Sequence, residues 1–276
     1  MTTAQLPATV VTGDDLEYRV PAPEALRPWI TEIGHIPTVS IRSAPFTHVP
    51  QAVTAIVLRV DASGHRDAMV VGPRTRATYA RAKVSAGCLR LRLAPGATQP
   101  LLGIPAADLT DRVFRLQDVP GPAADLAGAL GDLDLGDVVA YLEDALPQHL
   151  SEDSTRRAHR RLLGSAVAAL GAAPSVRDLA ADLAVSERQL RNLFTAGIGV
   201  SPKHYARIDR VRQVIAAAGD TPWSVIASAT GYYDQSHMTA DFRAIMGVPP
   251  TAFFRGDVPA PTPCQALARI WPLATV

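Results

Sequence analysis

The feature that most restricts how this chain can fold is an internal repeat towards its C-terminal end. Phe194-x4-Gly199-Val200-Ser201-Pro202 recurs 48 residues later as Phe242-x4-Gly247-Val248-Pro249-Pro250, and upstream Leu179-Ala180 matches Ile226-Ala227 at a spacing of 47. The difference puts one extra residue in the turn of the second copy. Self-similarity at such a period marks a supersecondary unit used more than once. Each copy reads as a short apolar helix, a turn of three to four residues and a second capped helix, which is the helix-turn-helix plan. Helical hairpins are common in bundles, so one copy says little. Two copies with matched caps and endings say much more.

The caps are legible one by one. Ser175 precedes a stripe of Val176, Leu179 and Leu183. Ser186-Glu187-Arg188-Gln189 is a capping box, with Val185 and Leu190 as its hydrophobic staple. Ser201-Pro202 and Thr221-Pro222 each set a capping hydroxyl before a proline at the first helical position. Asp234 suits a further cap, stapled by Tyr233 and Met238. Upstream, a helix opens at Ser154, runs through Leu170 and ends at Gly171. Between the copies a helix is expected from Pro202 to about Ala218, with Tyr205, Ile208, Val211 and Ile215 on its apolar stripe. Such a helix spans roughly 26 Å, a rod able to hold two recognition helices about one DNA turn, roughly 34 Å, apart.

The reading faces follow from helical geometry. Leu190, Leu193 and Phe194 share one side of the helix after Ser186, while Arg188, Arg191, Asn192 and Thr195 share the other. Arginine can donate to guanine O6 and N7, and asparagine can pair bidentately with adenine. The second copy buries Met238, Phe242, Ile245 and Met246 and turns Ser236, Ala240 and Arg243 outward, with His237 at the margin. It is the poorer reader.

Charge is distributed to match. Residues 1–153 carry 13 Lys/Arg against 18 Asp/Glu, whereas residues 154–256 carry 13 against 7. A basic rear half behind an acidic front half suggests that the rear meets a polyanion. Apolar residues make up 47% of the chain, which excludes wholesale disorder. Uncharged stretches are broken by Pro and Gly, so no membrane span is expected. The N-terminus lacks the basic start and apolar run of a signal peptide, and the default location is cytoplasmic, on the nucleoid through DNA.

The fold class expected is α+β: a β-rich N-terminal regulatory domain, then an all-α domain with two helix-turn-helix units joined by a long helix. Residues 1–20 read as a loosely held arm. Residues 21–153 form the β-rich domain for sensing or dimerisation, ending in acidic helices, and 257–276 form a tail after the 154–256 unit. Within the front half, Val53–Val60 is strand-like, and Leu89-Arg90-Leu91-Arg92-Leu93 sets three leucines on one face and two arginines on the other.

Gly231-Tyr232-Tyr233-Asp234-Gln235-Ser236-His237-Met238-Thr239-Ala240-Asp241-Phe242-Arg243, followed by Gly247-Val248-Pro249-Pro250, resembles the signature of AraC-type (AraC/XylS) transcriptional regulators, and Ser186–Phe194 with Gly199-x2-Pro202 fits it too. The resemblance covers roughly residues 158–255. It implies a seven-helix DNA-binding domain and an N-terminal domain that dimerises or senses an effector. Gly72-Pro73-Arg74-Thr75, Pro95-Gly96-Ala97, Leu102-Gly103-Ile104-Pro105-Ala106 and Leu109-Thr110-Asp111 resemble an N-terminal domain common in actinobacterial regulators of this type. The family usually has Arg where this chain has Asn192 and Ala240. Asn192 can still read adenine; Ala240 can at most touch a thymine methyl.

The residues expected to read bases are Arg188, Arg191, Asn192, Gln235 and Ser236. Those expected on the DNA backbone are Ser186, Thr195, Arg207, Arg210, Arg212, His237, Thr239 and Arg243. The partners expected are double-stranded DNA across two successive major grooves and RNA polymerase, with a homodimer and a small-molecule effector left open. No catalytic residue, metal or cofactor is expected. A metal-dependent enzyme would need a site in the front half, where His35, His48 and His65 lack metal-ligand spacing. Cys88 is expected to be a small buried or half-buried side chain, with a redox sensor as the alternative. A front domain that only docks proteins remains the other reading.

Overall fold

The computed structural model describes residues 11–12, 14–39, 46–61, 63–80, 85–150, 153–173, 175–219 and 221–262. The chain is α+β. Its front half holds strands β1 (Val11–Thr12), β2 (Tyr18–Pro21), β3 (Ile30–Val39), β4 (Phe46–His48), β5 (Ala55–Asp61), β6 (Arg66–Val71), β7 (Thr78–Ala80), β8 (Ser85–Leu93) and β9 (Val113–Arg115). Six form an antiparallel sheet in the order β2-β3-β8-β5-β6-β9; β1, β4 and β7 form a second, three-stranded sheet in the order β1-β4-β7. Helices α1 (Thr98–Leu102), α2 (Ala106–Leu109), α3 (Ala127–Asp132) and α4 (Val138–His149) belong to this half.

The alternation in β8 decides which face is covered. Leu89, Leu91 and Leu93 are buried beside Ile56 and Leu58 of β5, under Leu101 and Leu102 of α1 and Leu142 and Leu146 of α4. The acidic helices thus bury one apolar side in the front core. The opposite face of β8 is not a solvent face. Arg92 is only 3% exposed, and the Glu17 carboxylate, entirely buried, receives a hydrogen bond from it. Arg92 also lies 2.9 Å from Glu32, and Arg19 donates to Glu17 at 2.9 Å. Buried charges persist only when paired in this way. Burial works to raise the Glu17 carboxyl, but the bond from Arg92 and the charges of Arg90, Arg92 and Arg19 outweigh it and hold the group below its ordinary range.

This cluster corrects the expectation of an arm over residues 1–20. From Val11 onward the segment is paired, β1 with β4 and β2 with β3, because Glu17 is the counter-charge for the β8 arginines. Residues 1–10 lie outside the described residues.

The rear half comprises α5 (Ser154–Leu170), α6 (Val176–Asp182), α7 (Glu187–Ile198), α8 (Pro202–Ala217), α9 (Trp223–Ala229), α10 (Gln235–Met246) and α11 (Pro250–Arg255). Ser175, Ser186, Ser201 and Asp234 cap α6, α7, α8 and α10 as expected, each accepting from the backbone N–H three residues on. Thr221 does not cap α9; Pro222 occupies that position with no side-chain bond. In the two helix-turn-helix turns the left-handed residue is Ala184 (φ 53°) in the first and Gly231 (φ 75°) in the second, 47 positions apart.

Asp153 caps α5, its side chain accepting from the Arg156 N–H. The core does not stop there. Ala52 and Tyr79 from the front half are buried in one cluster with Leu163, Leu190, Phe194, Phe242 and Met246. Beyond α11 the chain returns to the front half, where the Thr262 N–H donates to the Tyr79 carbonyl at 3.0 Å. The rest of the expected tail, residues 263–276, lies outside the described residues.

One half-buried group makes front-half stability depend on pH. His48 in β4 is held neutral down to about 3, first by burial and then by the charges of Arg74 and Arg90. Unfolded, it titrates near 6.5. As pH falls from 6.5 towards 3 the unfolded chain takes up a proton that the folded chain refuses, so this site's stabilisation, complete above pH 6.5, declines by about 1.4 kcal/mol per pH unit. Urea titrations of wild type and His48→Gln are expected to show the steeper acid loss in wild type between pH 6 and 4.

Candidate nucleic-acid interface

The apolar stripes seat both second helices of the repeat. Leu190, Phe194 and Ile198 of α7 are buried, as are Met238, Phe242, Ile245 and Met246 of α10. Phe194 meets Tyr205 of α8 edge to face at 6.0 Å, and Phe242 meets Phe253 of α11 at 5.7 Å. With these faces fixed, the opposite sides are committed to solvent. Arg188, Arg191, Asn192 and Thr195 are exposed on α7, and Gln235, Ser236, His237, Ala240 and Arg243 on α10. Thr239 is half-buried. Glu187 forms an i,i+4 ion pair with Arg191 and pre-orients its guanidinium along the helix. Ser186 accepts the Gln189 N–H at 3.1 Å, which leaves its own hydroxyl proton free to point outward. His237 packs edge-on against Tyr232 at 5.2 Å.

The arginines of α8 are placed differently from the expectation of phosphate contacts. Arg207 donates through Nε to Asp241 at 3.0 Å and lies 2.8 Å from it through Nη2; Arg210 reaches the other Asp241 oxygen at 3.5 Å and stacks over the Tyr232 ring at 5.0 Å. Arg212 donates to the Pro50 carbonyl at 3.2 Å, across the boundary between the halves. For Arg207 and Arg210 the physical reason is Asp241, whose side chain is only 12% exposed on the inner side of α10 and needs cations. These two tie α8 to α10, and Arg212 ties α8 to the front half.

Sequence reasoning missed Tyr233. As a staple it would lie on Met238, yet it is 93% exposed while Met238 is fully buried. The signal was available: of the consecutive pair Tyr232-Tyr233 only one can face inward, and Tyr232 does. Tyr233 stands at the start of α10, beside its exposed face.

Elsewhere, His65 lies 3.1 Å from Asp67, His35 is exposed and His48 is half-buried near Arg74 and Arg90. Among the described residues no three His, Cys, Asp or Glu side chains are grouped to hold a metal ion, and no helix is long and apolar enough to cross a membrane. Burial pushes the Cys88 thiol up, away from the thiolate form that redox chemistry needs.

Asp241 gives a direct check on this geometry. Asp241→Asn removes the counter-charge of two half-buried guanidiniums and is expected to lower the stability of the rear half by roughly 2–4 kcal/mol, the lower part of the range because Arg207 and Arg210 retain some solvent. Denaturant unfolding followed by circular dichroism measures it.

Comparison with known proteins agrees with these features. Residues 179–256 match the helix-turn-helix domain family, and residues 18–115 match a domain of unknown function, DUF6597. The uncharacterized HTH-type transcriptional regulator YidL of Escherichia coli (strain K12) is 31% identical over 114 residues, which cover 40% of this chain and 38% of YidL's own length. Two solved structures of ToxT from Vibrio cholerae are similar at low level: an apo variant from strain SCE256 (TM-score 0.39, 12% identity, 85% of this chain and 98% of that one) and ToxT from strain O395 (TM-score 0.39, 9% identity, 81% and 96%). The chain is thus similar to helix-turn-helix proteins over residues 179–256 and to proteins with a DUF6597 domain over residues 18–115.

Proposed function

We propose that the protein is a sequence-specific transcription regulator that binds double-stranded DNA with α7 and α10 in successive major grooves. The observation that carries this reading is the exposed cluster of Arg188, Arg191 and Asn192 on α7, in a domain of the helix-turn-helix family. Gln235 and Ser236 are the base-reading candidates of α10. Ser186, Thr195, His237, Thr239 and Arg243 remain the backbone candidates, joined by Tyr233, whose hydroxyl can donate to a phosphate. Arg207, Arg210 and Arg212 rank behind these, since their half-buried guanidiniums already bond Asp241 and the Pro50 carbonyl.

The front domain governs activity by effector binding or by dimerisation, with RNA polymerase the partner through which transcription responds. An apolar cavity of about 10 Å³ lies among Ile56, Leu91, Leu101, Leu126, Leu142 and Leu146. That is about the room one water needs, so an effector entering there has to part α4 from the sheet.

Selection from a random duplex pool tests the reading, the expected outcome being one enriched site. Its affinity is expected to fall with salt at a log–log slope of about −0.9 for each phosphate neutralised by a Lys or Arg; a flat salt response is contrary to it. On a panel of single-base site variants, Arg191→Ala is expected to relax preference in one half of the site, each bidentate contact being worth about 1–3 kcal/mol. Ser236→Ala is expected to change little, and Arg243→Ala and Tyr233→Ala to weaken all sequences alike. If Ser236→Ala erases more preference than Arg191→Ala, α10 is the main reader.

A further inference from the structure

The repeat spacing of 48 makes Gly197 the counterpart of Ile245, near the C-terminal ends of α7 and α10. The last carbonyls of a helix have no partner within it. In both helices the front half supplies one to the equivalent residue: the Gly96 N–H donates to the Gly197 carbonyl at 3.1 Å, and the Ala77 N–H donates to the Ile245 carbonyl at 2.9 Å. A side-chain hydroxyl adds a second bond at each end. Thr110 Oγ1 donates to the Gly199 carbonyl at 3.0 Å, and the buried Tyr79 hydroxyl donates to the Met246 carbonyl at 2.6 Å.

Three of these four donors, Ala77, Tyr79 and Thr110, lie on segments that are themselves tied together. Asp111, next to Thr110, accepts from the Thr75 N–H at 2.8 Å and from the Thr75 hydroxyl, and the Asp111 N–H donates to the Pro73 carbonyl at 2.8 Å. The segment that reaches α10 and the turn that reaches α7 are thereby one unit. The approach at α7 leaves no slack: a Cβ on Gly199 would stand 2.7 Å from both the Ala106 carbonyl and Thr110 Oγ1. These bonds hold the ends of the helices opposite to the N-terminal ends that meet base edges.

We infer that Pro73–Tyr79 with Thr110–Asp111 is a bracket that fixes the separation and rotation of the two recognition helices, so that the front half sets which half-site spacing the protein accepts. This rests on the DNA-binding reading above. Tyr79 and Thr110 are positioning residues: they touch the reading helices, not the DNA.

The test uses the full chain, its selected site and a series of that site with one to three base pairs added or removed between the halves. Wild type is expected to lose tenfold or more in affinity for each change of spacing. Tyr79→Phe/Thr110→Val keeps both side-chain shapes and removes both hydroxyl donors. It is expected to bind the optimal site within about threefold of wild type and each isolated half-site unchanged, while its spacing penalty shrinks at least severalfold. A general loss of folding would weaken half-sites and full sites together. Should the double variant not fold, each single variant carries the same expectation at smaller size. A variant whose spacing profile matches wild type overturns the bracket alone. A wild-type chain that enriches no duplex overturns the DNA-binding reading, and the bracket with it.

Discussion

The arrangement depends on a short stretch at the end of α7 where the chain has given up side chains. Gly197 approaches Gly96 and the Leu163 side chain, and Gly199 turns with positive φ directly under α2 and Pro73. A Cβ at Gly199 would push the halves apart, and with them the bonds that depend on contact, whereas one at Gly197 would first meet the Leu163 side chain of α5. Gly247, its counterpart after α10, has the same left-handed backbone but open space around it. Both glycines terminate a helix. Only the first also admits a neighbouring domain, and the sequence motif they share does not distinguish these uses.

The parts legible in the sequence were those governed by local chemistry. Serine and aspartate caps, the apolar stripes of α7 and α10 and the leucine alternation in β8 each depend on neighbours within a few residues, and they stand where the spacing puts them. The parts that were not legible depend on a partner far along the chain. Arg207 and Arg210 look like free cations on an exposed helix until Asp241 is brought against them, 34 and 31 residues later. Glu17 looks like part of an arm until Arg92 needs a counter-charge. Thr221 and Tyr233 failed for a nearer reason: a cap or staple pattern fixes residue types but not which of two adjacent residues turns inward.

Placing the polar residues of β8 inside the front half also separates two jobs that a small domain often merges. Stability comes from the leucine face beneath α1 and α4. The other face gives a fixed network of charge whose members, Glu17, Glu32, Arg90 and Arg92, come from separate segments. Such a network resists sliding, because any shift of register between β2, β3 and β8 leaves a buried charge unmatched.

The left-handed alanine in the first helix-turn-helix turn has a consequence for how the two units respond to disturbance. A non-glycine residue there costs about 1–2 kcal/mol, a strain that Gly231 spares the second unit. The turns close with equivalent bonds, Val185 N–H to the Ala180 carbonyl and Tyr232 N–H to the Ala227 carbonyl. The first unit therefore opens more readily in itself and draws compensation from the front half that grips α7. Loosening of the front half should release the first turn before the second, with amide exchange at Val185 quickening before that at Tyr232. The front half bonds the ends of both α7 and α10, but of the two units the first carries the strained turn.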